Sequence, residues 1–599
     1  MKKRFGSVIV ASALAIATSA QPQVAQQRRP PNIVILLADD WGFSDVGAFG
    51  SEIATPNIDW LAANGVRFTN FHVAGSCSPT RAMLQTGVGN HRAGVGNMPE
   101  TIPPEHVGRR GYDTVLNLRT VTIAEMLRSA GYRTYLTGKW HLGKDARRLP
   151  TARGYDHAFS LADAGADNFE QRPIEGMYEA AEWTEDGRPA RLPAQFYSST
   201  FVVDQMIRYI EEDRVSGKPF FASINFLANH IPVQAPDAEI ARYAEHYRDG
   251  WAALRAARAA RAVARRVIPA GAARVTMRSD HDWTALSPDE RSAQARVMQA
   301  YAGMATAMDR EIGRLIAQLR STGDFDNTMF IFLSDNGPEP LDPMAHWRNR
   351  QYLDWQYDLS PENIGRRNSF TFLGPSWASA AAAPLSGYKF SAGEGGLRVP
   401  MIIAWPGNAA FRRGAAVHGM THVTDIVPTL LGVAGAAGHG ADWQGRSVEP
   451  MIGRSLLPAL TGTADSIHGD DAPLGYELSG NAALFRGDYK LVKNLPPIGD
   501  GRWQLFDIRR DPGETRNLAA AQPALFAAMQ ADYAAYAARD GVLAMPEGYT
   551  ADAQINANAF NSIMKPKLIW LGLWFAGVLA FLAGALWLWR RRIGKARAK

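Results

Sequence analysis

Asn32-Ile33-Val34-Ile35-Leu36-Leu37-Ala38-Asp39-Asp40 is an unbroken apolar run that ends abruptly on two carboxylates. A continuous hydrophobic run of strand length is the pattern of a strand covered on both faces, which is how strands of a parallel sheet are placed. Runs of the same kind recur at 132–137, 219–226, 329–333 and 399–405, bounded by Gly, Pro and polar clusters and separated by helical patterns. Alternating strands and helices predict an α/β unit with a mostly parallel sheet sandwiched by helices. Between the runs, 122–129 has helical spacing, with Thr120 as its cap and Gly131 as its stop. The stretch 296–320 places Met298, Ala302, Met304, Met308, Ile312, Leu315 and Leu319 roughly on one face. The Ala/Arg-rich stretch 251–266 reads as a solvated helix with long side chains.

The chain has 599 residues, 46% hydrophobic and 20% charged, which is a globular composition with room for a large domain and a smaller one. Its net charge is +6, but Lys2, Lys3, Arg4, Arg590, Arg591, Arg592, Lys595, Arg597 and Lys599 lie at the two ends. Removing these nine leaves the middle near −3, so the basicity is topological and nucleic acid is not an expected partner. Residues 1–20 have the basic start, apolar stretch and small residues of a secretory signal. Residues 568–589 carry no charge, are long enough to span a bilayer, and place Trp570, Trp574, Trp587 and Trp589 near the two ends. The basic tail 590–599 then belongs on the cytoplasmic side, which makes this a single-pass protein of the cytoplasmic membrane with its main domain periplasmic or otherwise outside. The expected layout is a catalytic α/β domain over 30–460, an α+β subdomain over 465–540 with short strands at 482–485 and 489–492 and a helix at 522–538, and an aperiodic linker over 541–567.

Polar residues with reactive side chains follow four of the five strands. The first ends in Asp39-Asp40, the second in Lys139 and His141, the third in His230 and the fourth in Asp335-Asn336. In open α/β sheets the ligand crevice lies outside the carboxyl ends of the strands, so these positions converge. Asp39, Asp40, Asp335 and Asn336 offer oxygen donors only, which favours a hard cation such as Ca²⁺ or Mg²⁺ over zinc. Lys139, His141, His230 and Lys389 add positive charge and proton donors, as transfer of an anionic group requires.

Cys77 is the only cysteine, in Cys77-Ser78-Pro79-Thr80-Arg81, and an exported protein with one thiol has no internal disulfide to make. The run resembles the maturation signature of the type I sulfatases, in which this Cys becomes formylglycine. The opening strand through Asp40, Gly138-Lys139-Trp140-His141-Leu142-Gly143, His230-Ile231-Pro232, Ser334-Asp335-Asn336-Gly337, and Lys389 followed by Glu394-Gly395-Gly396-Leu397-Arg398-Val399-Pro400 are similar to further signatures of that family. The stretches 90–98 and 116–119 are similar to bacterial broad-specificity arylsulfatases, and Leu505-Phe506-Asp507, Asp511-Pro512 and Asn517-Leu518 resemble the end of the C-terminal subdomain. Asn229 departs from the Pro that relatives often carry before the histidine.

The resemblance implies an alkaline-phosphatase-like fold and hydrolysis of sulfate monoesters. It implies one Ca²⁺ held by Asp39, Asp40, matured Cys77, Asp335 and Asn336, with Arg81 keeping nucleophile and ligands in register. A hydroxyl of the hydrated aldehyde would attack sulfur with help from Asp335. His230 and Lys389 would hold the sulfate and protonate the leaving oxygen. His141, assisted by Lys139, would then release the sulfate. A formylglycine-generating enzyme is the implied maturation partner. Two other readings are a phosphonate monoester or phosphodiester hydrolase of the same superfamily, disfavoured by Asn336 where those relatives tend to carry His, and a catalytically silent, anchored sulfate-ester-binding protein if Cys77 stays unmodified. Pocket walls are expected from loops 162–175, 346–355 and 368–377.

Overall fold

A computed structural model describes residues 29–272, 275, 282–470 and 472–597. The secretory-signal reading of 1–20 and the last two residues of the tail lie outside them. The described residues hold a ten-stranded sheet: β1 (Asn32–Ala38), β2 (Val66–Phe68), β3 (Arg133–Lys139), β4 (His157–Leu161), β5 (Trp183–Glu185), β6 (Arg188–Pro189), β7 (Phe220–Asn225), β8 (Thr328–Ser334), β9 (Met401–Ala404) and β10 (Ala415–Val417). In space the order is β10-β2-β9-β8-β1-β7-β3-β4-β5-β6. The five central strands β8, β1, β7, β3 and β4 are parallel, and β9 joins β8 antiparallel. The helices that bear on the site are α1 (Cys77–Thr86), α2 (Ile123–Ser129), α3 (Gly250–Ala264), α4 (Pro288–Thr322), α5 (Pro523–Asp540), α6 (Ala551–Ala559) and α7 (Lys565–Arg597).

The apolar run of β1 is explained by its two faces. Val34, Leu36 and Ala38 pack into a core shared with Met298, Met304, Met308, Ile312 and Leu315 of α4. Ile33, Ile35 and Leu37 pack into the opposite core with Ala82, Met83 and Leu84 of α1. Register brings the strand ends level, since Ala38 pairs with Ser334, and Leu37 and Gly138 both pair with Asn225. Gly138 has φ +93°, and a Cβ there would lie 1.9 Å from the Asn225 carbonyl oxygen, so only glycine lets β3 approach β7 this closely.

Two local expectations are corrected. Helix α2 is capped by Thr122, which forms a capping box with Glu125, whereas the Thr120 hydroxyl donates to the Asn117 carbonyl. Helix α3 is not a solvated surface helix. Arg258 is fully buried because its guanidinium is matched by Asp45 at 2.5 Å and Glu52 at 2.7 Å, and Arg255 bonds the carbonyls of Ser379 and Leu385.

The C-terminal unit is a four-stranded antiparallel sheet, β11 (Leu474–Leu478), β12 (Asn481–Arg486), β13 (Tyr489–Lys493) and β14 (Gln504–Asp507), with α5 packed on it. A buried ion cluster joins it to the large domain. Glu394 meets His72 at 3.0 Å, Lys490 of β13 at 2.9 Å and Arg398 at 3.4 Å, and Lys490 also meets Glu514 at 2.9 Å. Burying these charges is costly unless every partner is present. Lys490→Met is therefore expected to destabilise the fold by about 3–5 kcal/mol, because it strands two buried carboxylates. Denaturant unfolding of the variant against the parent checks this; a loss within about 0.5 kcal/mol, the surface-substitution scale, would show the cluster does not hold the two units together.

The segment 541–567 is not a free tether. Tyr112 and His106 bond the backbone of Leu543 and Ala544, the Tyr549 hydroxyl donates to the Thr101 carbonyl, and Asn558 donates to the carbonyls of Pro99, Glu100 and Ile102. Its helix carries small and amide side chains rather than a broad apolar stripe, so hydropathy periodicity gave no sign of it. A π-helical turn at Phe560–Met564 joins α6 to α7. Along α7 the side chains of Leu568, Trp570, Leu573, Phe581 and Trp589 all stand exposed among the described residues, and this long apolar helix has the length to cross a bilayer.

Candidate active site

Nearly every candidate residue read from the sequence lies at the carboxyl edge of the central strands. Asp39 and Asp40 follow β1, and Asp335 and Asn336 follow β8; all four are buried. Asp40 takes φ +62° and His141 φ +56°, backbone conformations unusual outside glycine, so both side chains are aimed by a turn that costs about 1–3 kcal/mol to hold. Cys77 opens helix α1 and is buried, with Sγ 3.4 Å from Asp39 Oδ1 and 3.9 Å from Asp40 Oδ1. Arg81 lies one turn further along α1. Its Nε donates to Asp335 Oδ2 at 2.9 Å, Nη1 donates to the Lys139 carbonyl at 2.8 Å, and Nη2 lies 3.6 Å from Asp39. One guanidinium thus links three strand ends to the helix that carries Cys77.

Lys139 Nζ donates to Asp39 Oδ2 at 2.6 Å. Lys389 lies between Asp40, at 2.9 Å, and Glu339, at 2.7 Å. His230 Nδ1 sits 2.8 Å from the Ile231 carbonyl, which requires a proton on Nδ1 and leaves Nε2, 3.8 Å from Asp40, facing the site. Asn229 donates its amide to the Tyr301 carbonyl and so pins this loop.

The oxygen-donor set fits a cation. Ligand atoms of Asp39, Asp40, Cys77 and Asp335 all lie within 4.8 Å of one another. The Asn336 amide nitrogen donates to Asp40 Oδ1 at 2.6 Å, while its buried Oδ1 has no partner among the described residues. Burial, then the neighbouring Asp335 charge, pushes the Asp39 carboxyl up to about 7, the mark of crowded carboxylates that a divalent ion would relieve. Burial also holds the Cys77 thiol well above its ordinary range, with Asp335 and Asp39 adding to it. A thiolate nucleophile is therefore disfavoured at this position.

Two carboxylates escaped the sequence reading. Glu339 sits in the same strand-end loop as Asp335, so the strand-end argument could have included it. Glu100 could not have been found that way, because it lies in a loop with no strand before it. Its Oε1 is 3.4 Å from His141 Nε2 and accepts from the Tyr178 hydroxyl at 2.6 Å. Glu100, not Lys139, is thus the group that faces His141, since Lys139 is committed to Asp39. Neither ring nitrogen of His141 makes a hydrogen bond among the described residues. Burial holds its imidazole below the ordinary range, with Glu100 pulling it back up.

Of the three loops expected to wall the pocket, only 162–175 reaches the catalytic groups. A Cβ on Gly165 would come 2.7 Å from His230 Nδ1, and Ala162 and Asp163 border the cavity beside His141. Residues 369–376 line a separate cavity that includes Phe370 and Phe372, and Leu353 of the remaining loop packs in a small core with Ile174, Ile231 and Phe370.

A buried oxygen-donor cradle that could hold a cation, a helix-opening cysteine against it and a ring of Lys and His at one sheet edge are the equipment of a hydrolase of tetrahedral anionic esters. Residues 31–436 match the Sulfatase family model, and 389–532 match the model for N-sulphoglucosamine sulphohydrolase, C-terminal. The chain is 36% identical over 544 residues to a sulfatase of Schizosaccharomyces pombe, spanning 88% of this chain and 97% of that protein. It is also 36% identical over 450 residues to the arylsulfatase of Klebsiella aerogenes, spanning 75% and 95%. Among solved structures, Ps i-CgsB in complex with k-i-k-neocarrahexaose shares the fold, with TM-score 0.60 and 23% identity over 85% of this chain and 93% of that one. The chain belongs to the sulfatase family, and sulfate ester hydrolysis is its chemistry.

Proposed function

We propose that the protein is an arylsulfatase-type sulfuric ester hydrolase that matures Cys77 to formylglycine and works with one Ca²⁺. The observation that carries this reading is Cys77 Sγ lying 3.4 Å from Asp39 within the four-residue acidic cluster, as a thiol kept protonated. Asp39, Asp40, Asp335, Asn336 and the matured Cys77 would hold the ion. When bound, the ion would supply positive charge for the sulfate and favour a deprotonated nucleophile, and the matured residue would supply the hydroxyl that attacks sulfur. Arg81 and Lys139 fix the geometry by spanning Asp335, Asp39 and the end of β3.

Lys389 and the Nε2 side of His230 face the transferring group from beyond Asp40. They balance its charge and deliver a proton to the departing alcohol or phenol. His141, kept neutral by burial, takes the proton that lets sulfate leave, and Glu100 orients its ring. The reaction needs neutral His141, so activity falls on the acid side as His141 protonates, at a pH below the ordinary imidazole value of about 6.5. Glu100 raises that value, so Glu100→Gln should move the acid limb of kcat/KM to lower pH while reducing kcat about 10- to 100-fold through loss of positioning. A pH-rate profile checks both signs; a limb that moves up or stays would remove Glu100 from the account.

The phosphodiesterase reading is weakened by Asn336, whose free amide oxygen suits a hard cation. A silent, anchored binding protein would keep the cradle but need no poised base, and a buried His141 paired with Glu100 beside the cradle argues for chemistry. An exported, single-pass placement in the cytoplasmic membrane, with α7 as the span and its basic end cytoplasmic, is part of the same reading. The test is mass analysis of the Cys77 peptide after co-production with a formylglycine-generating enzyme, alongside sulfate release. Exchange of CH₂SH for an aldehyde that traps amines, together with turnover, supports the proposal; sulfate release by protein whose Cys77 remains a thiol would overturn it.

A further inference from the structure

A cavity of about 390 Å³ opens beside His141, and one of its walls is built by the helix that leads into the apolar span. Ile555, Asn558, Ala559, Ser562 and Ile563 line it. Their spacing is i, i+3, i+4, i+7 and i+8, one face of a helix. Val115 and Met177 add apolar surface opposite. Asn558 secures the wall to the loop that carries Glu100 by donating to the carbonyls of Pro99, Glu100 and Ile102.

The charged part of the lining is acidic. Glu100, Asp163, Glu179 and Glu182 border the cavity, and its one lysine, Lys144, is already held 3.1 Å from both Asp163 and Glu182. A second sulfate on a substrate would meet carboxylates here with no free cation among the lining residues. An uncharged apolar group would meet Ile555, Ala559 and Ile563 instead. Ile563 precedes the first residue of the uncharged stretch at 568 by five positions, about 8 Å along a helix, so with α7 in a bilayer this wall would stand at the membrane surface, where apolar molecules concentrate.

We propose that the helix 551–564 forms the wall of the active site that receives the alcohol or phenol part of the ester, selecting monosulfate esters of uncharged, apolar phenols or alcohols and rejecting polysulfated ones. This rests on the sulfatase reading above and names the substrate class for that site. Specificity comes from area removed from water along Ile555, Ala559 and Ile563, and from repulsion by the carboxylates.

The test uses the full chain with confirmed formylglycine in lipid nanodiscs and a series of 4-alkylphenyl sulfates against phenyl sulfate and a disulfated phenol. The expected result is kcat/KM rising by up to about 4-fold per buried methylene until the cavity is filled, with the disulfate a poor substrate. Ala559→Trp, which fills the cavity, and Ile563→Asp, which adds charge to it, should each flatten the alkyl series when every variant is referred to its own phenyl sulfate rate. That ratio is insensitive to how much of a variant folds. A slope unchanged in both variants, or preference for the disulfate, would overturn the proposal while leaving a sulfatase. Failure to hydrolyse any sulfate ester despite formylglycine would overturn the sulfatase reading and this proposal with it.

Discussion

Cys77→Ala is expected to lower kcat/KM for an aryl sulfate by about 100,000-fold or more, the scale on which removal of a covalent nucleophile acts. The side chain is buried at the opening of α1, against Asp39 and Asp40. The fold should survive, because alanine suits an early helical position and leaves the Arg81 to Asp335 pairing intact. Cys77→Ser separates two explanations of the loss. A serine hydroxyl can attack sulfur once but lacks the second hydroxyl that expels sulfate, so the variant should stop after at most one turnover with sulfate attached to Ser. Steady turnover by the serine variant would contradict the mechanism.

Metal removal is the second large effect. With Asp39, Asp40 and Asp335 within 4.8 Å of one another, a cradle stripped of its ion crowds like charge that burial makes worse. Chelation should abolish turnover, and Ca²⁺ readdition should restore it. Because the ion binds the folded chain, Ca²⁺ at about 100 times its dissociation constant should add about 2.7 kcal/mol of stability. Asp40→Asn should lose that gain and also leave Lys389 paired with Glu339 alone. Calorimetric melting with and without Ca²⁺, on parent and variant, reads the effect without reference to catalysis. Equal melting temperatures in all four samples would remove the cation from Asp40.

Much of the cradle could be read from the chain because sheet topology turns sequence into position. Once 32–38, 132–137, 219–226 and 329–333 are parallel strands, the residues that follow them must meet at one edge, as Asp39, Lys139, His230 and Asp335 do. Cys77 came from its neighbours and from the want of a second cysteine. Glu100 was illegible, since its role depends on a loop that folds back to His141 and on Tyr178 from another loop. The burial of Arg258 is not legible in the sequence, because periodicity shows which helix face is polar but not that Asp45 and Glu52 lie beneath it. The docking of the stretch after 541 is not legible in the sequence, because it holds its place through hydrogen bonds that involve Asn558, Leu543 and Tyr549 rather than through apolar periodicity. The antiparallel entry of β9 likewise has no local signature, as its run resembles the parallel ones.

The most direct measurement is the ratio of kcat/KM for 4-nitrophenyl sulfate to that for bis-4-nitrophenyl phosphate, using formylglycine-bearing protein with calcium and manganese compared. The account predicts that the sulfate ester is preferred, that calcium supports it, and that the preference vanishes in Cys77→Ala. Preference for the phosphodiester, supported by manganese, would contradict it and would mean that the free amide oxygen of Asn336 does not set the metal or the reaction.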